Sequence, residues 1–200
     1  IDSRKEKVYF AAYKVFENKL ELVEDYKVAK LDDVILEIKN QKFEKNEKNK
    51  EIEKEDKKNI KKNDSLGSDY LNLNPRILLV LFKQKDGTYT LVSKNDKGFI
   101  PSPNSKDEPT LEDTFDSISI KNNTFRINFN YFYSAGSWGT SQTNYIFRYQ
   151  NNKFELIGFS ESSFMRNSGE EEELSINFST NKVKTTTGGN VFEGNVNNPK

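Results

Sequence analysis

The sequence predicts a mainly β protein, an antiparallel twisted sheet or sandwich preceded by a short N-terminal helix or irregular arm. Three observations carry that expectation. Phenylalanine and tyrosine abound, at 15 and 9 residues, while alanine is scarce, a bias that suits pleated surfaces better than helices. Apolar and polar side chains alternate: Phe125, Ile127, Phe129, Tyr131 and Tyr133 share one face and Arg126, Asn128 and Asn130 the other, and Tyr145, Phe147 and Tyr149 repeat the pattern. Turn-forming pairs punctuate these runs, at Asp86-Gly87, Asn122-Asn123, Asn151-Asn152 and Thr180-Asn181.

Taken in order, residues 1–20 place Val8, Ala11, Ala12, Val15 and Phe16 at roughly helical spacing. A short amphipathic helix is the first expectation, with a strand over Tyr9–Phe16 as the alternative. LDDVILEI, residues 31–38, has the β-branched, apolar and short character of a strand. Residues 39–69 are dominated by lysine, glutamate and asparagine, with Phe43, Ile52 and Ile60 among the few large apolar side chains. Such a run cannot bury enough surface to offset its ordering entropy, so a charged insertion, disordered or loosely helical, is expected.

From Pro75 onward the pattern is β. ILLVLF, residues 77–82, is the continuous apolar run of a central strand covered on both faces. It is expected to pair with 34–38 once the insertion is looped out, so that deleting 41–66 would leave the melting temperature nearly unchanged. KQKDGTYTLVS then forms a hairpin, and residues 96–115, rich in proline, form a loop. Five or six strands follow, and residues 190–200 are expected to be a flexible tail. The whole, 1–200, is expected to be a single β-rich domain.

Composition bounds the chemistry. The chain has no cysteine and no histidine, which removes disulfides, thiol catalysis, Cys-ligated zinc and Ser-His triads. Thirty-one basic residues balance 31 acidic ones, so no global basic field exists to hold nucleic acid or an anionic membrane. No apolar stretch approaches the length of a membrane span. The sequence opens on Ile1, which suggests a removed signal peptide or lipoprotein leader, or trimming; a lipid anchor is compatible with this.

The most distinctive segment is FNYFYSAGSWGTSQTNYIFRY, residues 129–149, where the only tryptophan, Trp138, lies between Gly136 and Gly139. Two readings stand: an aromatic finger displayed for a partner, or a hairpin loop whose tryptophan folds back on the sheet. Phe132, on the otherwise polar face with Arg126 and Arg148, favours an exposed aromatic patch. The candidate partner-binding set is therefore Trp138, Phe132, Tyr133, Ser137, Arg126 and Arg148.

GEEEEL, Gly169–Leu174, is expected to be a solvated acidic loop. Asp25, Asp32 and Asp33 could be paired carboxylates for glycoside hydrolysis, but nothing in their spacing directs them into one cleft. TTTGGN near the end is expected to be a Gly-Gly turn, since no helical pattern follows that could cradle a phosphate.

The C-terminal half carries a resemblance. NPRILLVLFKQKDGTYTLVSKND, FDSISIKNNTFRINF, GSWGTSQTNYIFRYQNNKFELIGFS and EELSINFSTNKVKTTTGG follow one another in this order. Together they resemble a family of uncharacterised secreted or lipid-anchored proteins of Bacteroidetes-type bacteria, whose members begin with one FG-GAP/integrin-like repeat. The resemblance covers residues 74–190 closely and 25–38 faintly. It implies kinship to a propeller blade and an extracytoplasmic location, in the periplasm or attached to the outer membrane; it implies no activity. In the matching stretch DYKVAKLDDVILEI, Asp25 and Asp32 stand where the outer carboxylates of a calcium loop would be. Lys27, Ala29 and Lys30 occupy positions that need oxygen ligands and a glycine, so no calcium, other metal or cofactor is expected.

The function these features point to is a non-enzymatic extracytoplasmic protein that binds another protein through the 129–149 hairpin. An immunity or inhibitor protein neutralising a secreted toxin or hydrolase is the alternative, and a glycan-binding module the third reading. The third would need several coplanar aromatics on one face.

Overall fold

The structure, a computed structural model, describes residues 8–16, 19–29, 58–83, 89–121 and 124–193. Among these the chain forms twelve strands and no helical element, so the mainly β, largely antiparallel class is the observed one. No helix among the described residues is long and apolar enough to cross a membrane. The chain divides into two compact units, Ile1–Pro109 and Thr110–Lys200.

In the first unit, β1 (Val8–Phe16) pairs antiparallel with β2 (Lys19–Ala29). The helix expected first over residues 1–20 is therefore corrected to the strand alternative where the chain is described. Valine, tyrosine and phenylalanine dominate VYFAAYKVF, and their β preference outweighs an incidental helical spacing. Two three-residue strands, β3 (Ile60–Lys62) and β4 (Tyr70–Asn72), form a small hairpin of their own. The main sheet continues with β5 (Ile77–Lys83), parallel to β1, and β6 (Tyr89–Asn95), antiparallel to β5, in the order β2-β1-β5-β6.

β5 is the central strand its apolar run predicted: Leu79, Val80, Leu81 and Phe82 are all buried, so both faces are covered. Its neighbours differ from expectation. β1 and β6 occupy its two edges, which leaves none for residues 34–38; those residues lie outside the described ones. The β1–β5 pair is parallel, and a parallel pair needs a long crossover rather than a tight turn.

The insertion expected over 39–69 is also corrected in part. Residues 39–57 lie outside the described residues, but 58–69 hold β3 and an ordered turn. Asn63 closes that turn: its Nδ2 donates to the carbonyls of Leu66 (3.2 Å) and Ser68 (2.9 Å), and its Oδ1 accepts from Ser65 N (3.0 Å). Asn59 Nδ2 donates to Asn74 Oδ1 at 3.1 Å, Asn74 Nδ2 to Asn72 Oδ1 at 2.8 Å, and Asn72 N to Asn104 Oδ1 at 2.9 Å. Asparagine carboxamides thus order this exposed segment, Asn63 by bonds within its own turn and Asn59 by a bond to Asn74 fifteen residues on, without burial of large apolar side chains. Deleting 41–66 would remove β3 and the bonds of Asn63, so a deletion that ends before Asn59 is the one expected to leave the melting temperature nearly unchanged.

The second unit is one six-stranded antiparallel meander: β7 (Phe115–Lys121), β8 (Thr124–Phe132), β9 (Gly139–Gln150), β10 (Lys153–Met165), β11 (Glu170–Asn177) and β12 (Lys182–Asn190), each pairing with the next. Residues directly opposite in an antiparallel pair share a face, so register turns the sequence into rows. Phe125–Phe147, Ile127–Tyr145 and Phe129–Thr143 are opposite pairs on the apolar face. Ile118, Phe125, Ile127 and Phe129 are buried there, and Phe129, Tyr145 and Phe159 make edge-on contacts at 5.8 and 5.1 Å. Burial fades toward β12, whose residues 182–188 are all exposed.

The turn signals hold where they are described. Asn151 and Asn152 both adopt positive φ (52° and 58°), the mirror-image turn that matches strand twist, and Asn181 (53°) closes the turn between β11 and β12. Two expectations do not hold. Residues 170–173 form strand rather than an acidic loop, because alternation sends successive glutamates to opposite solvated faces. Gly188-Gly189 is no turn: the register passes from Glu172–Thr187 to Glu171–Gly189, leaving Gly188 (φ +81°) as a bulge inside β12. Residues 190–193, expected to begin a flexible tail, are tied down by Asn190 Nδ2 to Ser168 O (2.9 Å) and Val191 N to Gly169 O (2.9 Å). Residues 194–200 lie outside the described ones.

Candidate functional site: the Arg166-clamped loop and the faces beside it

β8 and β9 are joined by residues 133–138, carrying the SAGSW stretch. Gly136 takes φ +82°, open to glycine at no steric cost, and Ser137 Oγ accepts from Gly139 N at 3.1 Å. Ser134 N donates to Thr110 O at 2.9 Å, and Leu111 bridges to Tyr133. These bonds shape the loop locally.

The element that holds it comes from elsewhere in the sequence. Arg166, in the turn between β10 and β11, directs its guanidinium at the inside of the loop. Nη2 donates to Tyr133 O (2.9 Å) and Ser137 O (2.6 Å), and Nε donates to Trp138 O (3.3 Å). Arg166 N adds a second bond to Trp138 O at 2.9 Å. The guanidinium carbon also lies over the Phe132 ring, 4.4 Å from its centroid, and 6.0 Å from that of Trp138. A planar cation with forked donors can satisfy loop carbonyls and stack on an aromatic face at once, which an ammonium cannot.

Trp138 is 60 % exposed, so it does not fold back to cover the sheet. Four of the six candidate residues, Phe132, Tyr133, Ser137 and Trp138, are thus brought together around Arg166. The other two are not. Arg126 faces Ile146 across the β8–β9 pair, and Arg148 faces Glu155 across β9–β10. Arg126 stands six residues before Phe132, about 20 Å along an extended strand. Nothing local marked Arg166, because its role depends on a turn that returns to the loop only after the whole β9–β10 hairpin.

Next to the loop lies a cavity of about 450 Å³, lined by Tyr131, Tyr133, Ser141 and Met165 together with the carboxylates Glu161, Glu170 and Glu172. The carboxylates come from two strands: Glu161 from β10, Glu170 and Glu172 from β11. Desolvation by burial raises the Tyr145 phenol above its ordinary value, and the charges of Tyr131 and Glu161 add to this. A negative, aromatic-walled cavity suits a cationic group.

The opposite, polar face carries a larger open cavity of about 510 Å³. Register builds it from two neighbouring rows. Asn128, Asn144, Ser160 and Ser175 form one, and Asn130, Gln142, Ser162 and Glu173 the other. Hydrogen bonds run along the first row and past its end. Asn144 Nδ2 donates to Asn128 Oδ1, Asn128 Nδ2 to Ser117 Oγ (2.9 Å), and Ser117 Oγ to Asp116 Oδ2 (2.8 Å). Asn144 Oδ1 is buried and accepts from nothing.

Of the acidic residues considered for catalysis, Asp25 lies on β2 and Asp32 and Asp33 fall outside the described residues. Among the described residues no cluster of three or more acidic, histidine or cysteine side chains is placed to hold a metal ion. Comparison with known proteins finds no family model, no curated protein and no solved structure that matches this chain.

Proposed function

We propose that this chain is a non-enzymatic, extracytoplasmic binding protein that contacts another protein through the loop between β8 and β9, with Trp138 as its anchor. One observation carries the reading: Trp138 is exposed while the loop behind it is pinned by Arg166 at three carbonyls. A large aromatic held out on a pre-ordered loop loses little entropy on binding, the property of interface hot spots. The carboxylates of the neighbouring cavity complement a lysine or arginine on the partner. The absence of cysteine and histidine from the sequence supports a role without catalysis.

The test replaces Trp138 with a photo-crosslinking residue and, separately, with alanine, and probes envelope extracts of the producing cell and its neighbours. The reading expects one partner crosslinked at position 138, whose affinity for Trp138→Ala falls about 30-fold, the factor a hot spot of about 2 kcal/mol represents. Stability of Trp138→Ala should stay within about 0.5 kcal/mol of the parent. A partner retained equally by the alanine variant would move the interface elsewhere, and no partner would end this reading. A secreted toxin or hydrolase, captured and silenced, would make the protein an inhibitor.

A further inference from the structure

The geometry points to a second binding site, on the polar face of the six-stranded sheet, that takes a neutral polyhydroxyl ligand, an extended oligosaccharide. Strands lie about 4.8 Å apart, so rows crossing β8 to β11 run about 14 Å, and successive rows on one face are about 6.7 Å apart. Two rows of polar side chains therefore border a trench of oligosaccharide dimensions, with the backbone between them as its floor.

The chemistry of the lining selects the ligand. Asn128, Asn130, Gln142, Asn144, Ser160 and Ser162 each offer both donors and acceptors, as sugar hydroxyls do. No lysine or arginine lines the trench, whereas Asp116 and Glu173 do, which disfavours phosphate, sulfate and nucleic acid. The apolar lining residues, Phe129 and Leu174, belong to the row that faces the other side of the sheet, so the trench has no pocket for a peptide's apolar side chain. The hydrogen bonds that run from Asn144 through Asn128 and Ser117 to the Asp116 carboxylate fix the carboxamides of the first row, so that row meets a ligand already oriented. One row further along the same face Phe164 stands opposite Thr140 and is 38 % exposed; it supplies an aromatic border against which a sugar ring can lie, while Phe132 in that row carries the Arg166 guanidinium.

The test is an NMR titration of the full chain with cellohexaose, xylohexaose and maltohexaose. A hyaluronan hexasaccharide serves as the anionic comparator and a Gly-Ser hexapeptide as the polar peptide comparator. The inference expects at least one neutral hexasaccharide to move the side-chain amide signals of Asn130, Gln142 and Asn144, more strongly than either comparator. Asn130→Ala/Gln142→Ala, at two exposed positions, should weaken that binding by roughly tenfold or more, while Trp138→Ala leaves it unchanged. Absence of any shift with all three sugars overturns the inference. So do shifts confined to the Trp138 loop, tighter binding of a comparator, or full binding by the folded double variant.

Discussion

The Arg166 guanidinium sits 4.4 Å from the centre of the Phe132 ring. Phe132 lies on the polar face of β8, where an unpaired aromatic would be a liability, and the cation over it turns that ring into the support of a loop clamp. Arg166→Ala should cost about 1–3 kcal/mol in urea denaturation, because the carbonyls of Tyr133, Ser137 and Trp138 lose charge-assisted donors. Backbone amides of 134–138 should exchange faster by mass spectrometry. Arg166→Lys should recover only part of both effects, since an ammonium cannot fork and stack together. Unchanged exchange in the alanine variant would show that the loop holds itself.

The burial gradient across the meander sets a second expectation. Ile127 is fully buried, and Ile127→Ala should cost about 2–5 kcal/mol through the cavity it leaves. Val183, on β12, is 65 % exposed, and Val183→Ala should change stability by less than about 0.5 kcal/mol. Equal effects would mean that both ends of the sheet carry the fold alike.

The β9–β10 turn gives a third. Asn151 and Asn152 pay a backbone penalty that asparagine tolerates and alanine does not. Asn152→Ala should destabilise by about 1–2 kcal/mol, and Asn152→Gly should be neutral or stabilising. Chemical denaturation of the two variants decides; a harmless alanine would exclude the positive-φ turn.

Tyr145 makes the fourth. Burial, with Tyr131 and Glu161 nearby, raises its folded-state pKa above the ordinary value of 10.0. A raised pKa contributes stability that is fully present below the unfolded value and is lost as pH rises through the folded one. Stability should therefore hold up to about pH 10 and fall above it. Tyr145→Phe should flatten that alkaline fall in pH-dependent denaturation; an equally steep fall would assign it to other groups.

The β class was legible because it rests on local physics. The alternation of Phe125, Ile127 and Phe129 with Arg126, Asn128 and Asn130, and the Asn151-Asn152 turn, are short-range statements that register repeats unchanged. Trp138 was likewise singled out by its glycine neighbours and its lone occurrence. Where local signals competed, they failed. VYFAAYKVF has a helical spacing and a strand's composition, and pairing to β2 and β5 selected the strand. Residues 58–69 look like solvated insertion, yet Asn59, Asn63 and Asn74 order them with bonds that composition does not reveal.

By itself, then, the sequence determined that the chain is mainly β, that its aromatic alternation continues across several strands, and that thiol and imidazole chemistry are absent. Only the tertiary structure decided which distant residues meet: Arg166 inside the Trp138 loop, Glu161 beside Glu170 and Glu172, and the carboxamides of β8 and β9 in two continuous rows. The reason is physical. A strand's face follows from a period of two along the chain, whereas a site follows from register between strands, and register is a property of the whole sheet.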